Sequence, residues 1–238
     1  MALDPRTQVV TPVGARAGEI DEGLRSYMLR VYNYMSMGLA VTGLVAYFTS
    51  QSTSMLNAIY GTPLQWVVML APLGMVIFMS FRINKISAAG AQLAFWIFSG
   101  LMGLSLAYIF LVYTGASITR VFLITTATFA GMSLYGYTTK RDLSGIGSFL
   151  IMGLIGLIVA SLVNLFLQSA AFHWALSIVG VLIFVGLTAY DTQKIRMMYY
   201  EADGQEVVTK KAIMGALTLY LDFINLFLFL LRLFGNRN

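Results

Sequence analysis

Seven apolar runs of about twenty residues each, separated by short polar breaks, account for most of the chain from Val31 to Phe234. They span Val31–Thr49, Leu64–Phe81, Ala91–Tyr113, Thr119–Tyr137, Phe149–Leu167, Phe172–Tyr190 and Ala212–Phe234. Runs of this length match a helix crossing a hydrocarbon layer of about 30 Å and are about twice as long as a barrel strand. Backbone groups in lipid must find partners inside their own segment, which leaves helices as the open-chain solution. The fold class that follows is all-α and polytopic, an integral membrane protein of seven transmembrane helices. Composition agrees: 58% of residues are hydrophobic and 11% charged, against about 25% charged in a soluble domain.

Charge gives the orientation. Twelve of the fifteen Lys and Arg fall on the side of the N-terminus, and only Arg120, Arg232 and Arg237 fall on the other. Basic residues accumulate in cytoplasmic loops, so the N-terminus is expected in the cytoplasm and the C-terminus outside. The net charge of +5 is thereby read as topology, and no nucleic-acid partner is expected. The absence of cysteine excludes disulfides, a thiol nucleophile and cysteine-ligated zinc. Residues 1–27 are polar, carry both signs of charge and include Pro5 and Pro12, so they read as a flexible tail without the apolar run of a signal peptide. Residues 28–238 form the single transmembrane domain. Pairs such as Gly100 with Gly103 and Gly153 with Gly156 read as places where helices approach closely.

One carboxylate stands apart from the rest. Asp222 lies near the middle of the seventh run, where an ionised acid costs at least about 2.5–3.5 kcal/mol on insertion scales and marks an inward-facing group with a partner. Antiparallel helices bring together residues whose numbers average to the centre of the turn, and the polar turn Glu201–Glu206 pairs Asp222 with Asp191 to within two or three residues. This requires the sixth helix to continue past Asp191 through Lys194 and Arg196. Position alone leaves Asp191 two readings, a rim residue on the cytoplasmic side or the partner of Asp222. Two facing carboxyls in low dielectric titrate as one unit, which makes a proton sensor. They also offer oxygens to a hard divalent cation such as Ca2+, with Tyr190, Thr192 and Asn225 as supporting polar groups. Arg82 closes the second run on the same side and could bridge to Asp191 as a latch, or serve as a topological loop charge. Arg120 reads as a snorkelling residue and His173, beside Trp174, as part of an interfacial belt.

The segment Phe184-Val-Gly-Leu-Thr-Ala-Tyr-Asp-Thr-Gln-Lys-Ile-Arg196 resembles the signature of the Bax-inhibitor (transmembrane Bax-inhibitor-motif) family. Met132-Ser-Leu-Tyr-Gly-Tyr-Thr-Thr-Lys-Arg-Asp-Leu-Ser-Gly145 and Gly215-Ala-Leu-Thr-Leu-Tyr-Leu-Asp-Phe-Ile-Asn-Leu-Phe227 support the likeness, which extends from about residue 25 to the end and is nearest the proteobacterial inner-membrane branch. The resemblance implies seven helices, a di-aspartate pH sensor at Asp191 and Asp222, an arginine latch at Arg82, and a calcium leak that follows protonation, with H+ and Ca2+ as ions and no cofactor. It also implies a second theme, a non-transporting membrane regulator of a stress response or of a membrane-bound quality-control protease. No enzyme is expected: intramembrane aspartyl proteases place Gly-x-Gly before their second aspartate, where this chain has Leu219-Tyr220-Leu221, and the seventh run has no lysine for a retinal Schiff base.

Overall fold

A computed structural model describes the backbone from Val13 and the side chains from Glu22 to Asn238. Residues 1–12 and the side chains of 13–21, Arg6 and Arg16 among them, lie outside the described residues. Among the described residues there are nine helices: α1 (Val13–Gln51), α2 (Thr53–Tyr60), α3 (Leu64–Arg82), α4 (Ala88–Leu106), α5 (Ile109–Val112), α6 (Gly115–Thr138), α7 (Ser144–Leu167), α8 (Ala170–Met197) and α9 (Gln205–Phe234). Each of the seven apolar runs lies within one long helix or, for the third, within the α4–α5 pair. Six of these segments are long and apolar enough to cross a membrane by composition alone, and α1 carries the first run.

Two boundaries differ from the sequence reading. The tail expected over 1–27 is helical from Val13, and Tyr27 is already buried. Ala, Glu, Arg and Leu favour helix there, and no proline follows Pro12 before Pro63. The third run is interrupted at Ala107–Tyr108. The Tyr60 hydroxyl from α2 occupies the break, donating to the Leu104 carbonyl at 2.6 Å and accepting from Tyr108 N–H at 3.2 Å. An interruption at membrane depth stands only if protein groups replace the lost backbone partners.

The axis of the bundle is α9, with 67% of its most apolar stretch buried, against 11% for α7. Around it pack α1, α4, α6 and α8, while α3 lies on α4 and α7 on α8. Side chains in the outer positions are apolar and exposed, Leu165, Phe166 and Trp66 among them, as expected of surfaces covered by lipid. Buried hydroxyls mostly bond back to the carbonyl one turn earlier, as Ser99 does to Phe95 and Thr125 to Val121.

Helix approach is closest where α6 crosses α8. A Cβ on Gly136 would fall on the Ala189 carbonyl, so only glycine admits this backbone contact. The crossing carries a chain of hydroxyls. Thr192 Oγ1 donates to the Thr188 carbonyl at 2.7 Å, so at its 3.0 Å contact with Ser133 it must accept. Ser133 then accepts in turn from Tyr32 of α1 at 2.6 Å. A second relay runs from Tyr220 of α9 to Thr42 of α1 at 2.6 Å and on to the Ser99 carbonyl of α4 at 2.8 Å.

Candidate functional site

These two relays aim the acids. Tyr220 is fully buried on the α1–α4 side, with its ring 5.0 Å from Phe98 and 6.3 Å from Phe95. Two residues along a helix rotate by about 200°, so Asp222 is turned to the opposite side, toward α8. On α8, Thr192 is tied to α6 through Ser133, and Asp191, about 100° away, faces α9. The side chains of Asp191 and Asp222 meet in one cavity between the two helices. Asp222 is 4% exposed, and its Oδ2 has no partner among the described residues. The expected extension of the sixth helix past Asp191 is present, since α8 ends at Met197.

The hairpin joining α8 to α9 sets the register that makes this pairing possible. Lys211 Nζ bonds the Met198 carbonyl at 2.9 Å and pairs with Asp203, and Lys210 pairs with Glu206 at 2.9 Å. Below the acids, Gln193 and Arg196 hold the loop after α6. Gln193 accepts from Leu143 N–H at 2.9 Å and donates to the Arg141 carbonyl at 2.8 Å, while Arg196 donates to the Tyr137 carbonyl. The polar end of the Phe184–Arg196 segment is therefore structural apart from Asp191.

A cavity of about 610 Å³ lies between α7, α8 and α9. Asp191, Asp222, Thr218, Asn225, Ser161 and Arg232 are its polar residues, and Leu, Ile and Phe form the rest of its wall. On α9 the lining residues Thr218, Leu221, Asp222, Asn225, Phe229 and Arg232 form one stripe, about 20 Å long at 1.5 Å per residue. The acids sit toward one end and Arg232 at the other.

Of the residues singled out in the sequence, Asp191, Asp222 and Asn225 come together in this cavity. Asn225 donates its amide to the Leu221 carbonyl at 2.8 Å, which leaves its oxygen for the cavity. Thr192 does not join them, because its hydroxyl faces α6. Tyr190 packs its ring against Gly147, with Lys194 Nζ 5.9 Å from the ring centroid. Arg82 is exposed at the end of α3, and among the described residues the ion pairs are Lys210–Glu206 and Lys211–Asp203, so Arg82 is not joined to Asp191. The cation whose charge acts on Asp191 is Lys194, three residues along the same helix. Thr218 and Arg232 were not anticipated, although their spacing of four and ten residues from Asp222 puts them on its face of the helix. Among the described residues no three His, Cys, Asp or Glu gather to form a closed metal site. With each carboxylate binding through one oxygen, the two acids, the Asn225 amide and the Thr218 and Ser161 hydroxyls give five oxygens, short of the six to eight calcium takes, so a Ca2+ ion here would keep some of its water.

Compared with known proteins, residues 24–238 match the family model described as inhibitor of apoptosis-promoting Bax1. The chain is 51% identical over 217 residues to protein RP147 of Rickettsia prowazekii, covering 91% of this chain and 92% of that one. It is 49% identical over 218 residues to the inner membrane protein YbhL of Escherichia coli strain K12, covering 90% and 93%. A Caulobacter vibrioides protein is 46% identical over 226 residues, covering 91% and 90%.

Proposed function

Because the chain belongs to the Bax inhibitor family, we propose that it is a pH-sensitive cation leak pathway, passing calcium and gated by proton exchange at Asp191 and Asp222. The observation that carries this reading is a pair of carboxyls sharing one cavity between helices, Asp222 buried with one oxygen unpartnered. A bacterial inner membrane, the location in the name of the E. coli relative, is the compartment that goes with it.

With one proton between them, the two carboxyls bond across α8 and α9 and hold the helices together. With that proton gone, two negative charges about 4 Å apart repel by about 4 kcal/mol at an effective dielectric of 20. The helices then separate, or a divalent cation enters to neutralise both. Incomplete coordination suits passage, since a conducting site must bind well enough to admit an ion and weakly enough to release it.

The test is calcium flux into liposomes holding the purified protein, followed from about pH 5 to pH 8, a range that brackets ordinary and perturbed carboxyls. Asp191→Asn and Asp222→Asn keep size and hydrogen bonding but remove the exchangeable proton. Each single substitution is expected to abolish the pH dependence, and the double one to be no worse, because coupled groups act as a unit. Additive effects, or pH dependence that survives either substitution, would overturn the pair as gate. Absence of flux from the unsubstituted protein would favour the non-transporting regulator.

A further inference from the structure

At the end of the bundle away from the α8–α9 hairpin, Arg232, Arg237, His173, Asn164, Gln168 and Trp174 line a second cavity, of about 400 Å³. His173 lies in the field of both guanidinium groups. No Asp or Glu side chain lines this cavity. The chain has no Asp or Glu between Glu22 and Asp142, between Asp142 and Asp191, or after Asp222, so every segment at this end of the bundle is free of side-chain carboxylates. Neither arginine makes an ion pair among the described residues.

Both arginines are exposed, and each guanidinium lies over an aromatic ring. Residues 236–238 lie against 112–114, with Thr114 N–H donating to the Asn236 carbonyl at 3.1 Å and Asn238 N–H to the Val112 carbonyl at 2.9 Å. This fixes the backbone of Arg237, and its guanidinium lies 5.9 Å from the Tyr113 ring centroid. The Arg232 guanidinium lies 5.2 Å from the Phe229 ring. Stacking on an aromatic face leaves the N–H edges of a guanidinium free for a planar, forked acceptor. The N-terminus of the 28-residue α8, capped by Ser169, opens onto the same cavity and adds its positive end.

Two guanidiniums lining one cavity with no Asp or Glu side chain beside them favour an anion there. We propose that this cavity is a phosphate-binding site, in which Arg232 and Arg237 grip the phosphate oxygens and His173 adds a third donor. The phosphate is that of a phospholipid headgroup or of a free phosphate anion. Because Arg232 also lines the cavity of the acid pair, an occupant here reaches the mouth of that cavity. The proposal stands on its own geometry and does not require ion flux.

The test uses the full chain purified in a neutral maltoside detergent. Native mass spectrometry measures retention of phosphatidylglycerol against diacylglycerol of the same chains, which lacks the phosphate. Phosphorus NMR line broadening measures binding of inorganic phosphate at constant ionic strength. The expected result is binding in at least one arm, weakened about tenfold by Arg232→Gln or Arg237→Gln, the loss of one charge-assisted contact. Lipid retention alone assigns the headgroup, and broadening alone assigns the free anion. Arg120→Gln removes a charge at the same end of the bundle but outside the cavity and should leave binding unchanged. Arg237→Lys, which keeps charge without the fork, should fall between the wild type and Arg237→Gln, and it serves if the glutamine variant does not fold. Equal weakening by Arg120→Gln, equal retention of diacylglycerol, or no binding in either arm overturns the proposal.

Discussion

An acid in the middle of a span has to be aimed, and here the aiming is done by residues one and two positions away. Tyr220 anchors one side of α9 and Thr192 one side of α8, so helical rotation turns Asp222 and Asp191 toward each other. Thr192 in turn depends on how closely α6 approaches α8, which Gly136 permits. Gly136→Ala should therefore destabilise the protein by about 1–3 kcal/mol, because the added methyl meets backbone that cannot step aside. Thermal unfolding in detergent measures it. Gly131→Ala on the same helix, with open space around it, is the control and should change little. If both variants melt together with the wild type, the α6–α8 contact is looser than described.

Among the elements, α1, α6 and α8 are joined by the directed relay from Tyr32 through Ser133 to Thr192. In a double-mutant cycle, Tyr32→Phe and Ser133→Ala should show a coupling of about 0.6 kcal/mol, the usual size for hydrogen bonds between membrane helices. Additive losses would mean that the two hydroxyls are not bonded. This relay was not legible in the sequence, because a serine and a threonine inside apolar runs look the same whether they bond their own helix or a neighbour. The long apolar helices and the placing of Asp191 beside Asp222 were legible, since both follow from spacing along single helices and across one hairpin. Asp222 was conspicuous because ionisation in lipid is so costly. The latch at Arg82 and the supporting roles of Tyr190 and Thr192 depend on which way each side chain turns, and packing against α3, α6 and α7 decides that. The break at Tyr108 was hidden for the same reason: its remedy, Tyr60, lies in another helix.

For the whole molecule, the basic asymmetry predicts that a reporter fused after Asn238 through a flexible spacer is active only when it functions outside the cytoplasm. A reporter active only in the cytoplasm would require an even number of crossings. The architecture also bears on how the chain is made. Helices enter a membrane in the order of their synthesis, and α9, around which α1, α4, α6 and α8 pack, follows all of them. Until it arrives, α1, α4, α6 and α8 enclose no centre, Asp191 has no partner, and Thr42 lacks the hydroxyl of Tyr220. Assembly thus waits on α9: until it is made, the bundle is a ring without its keystone.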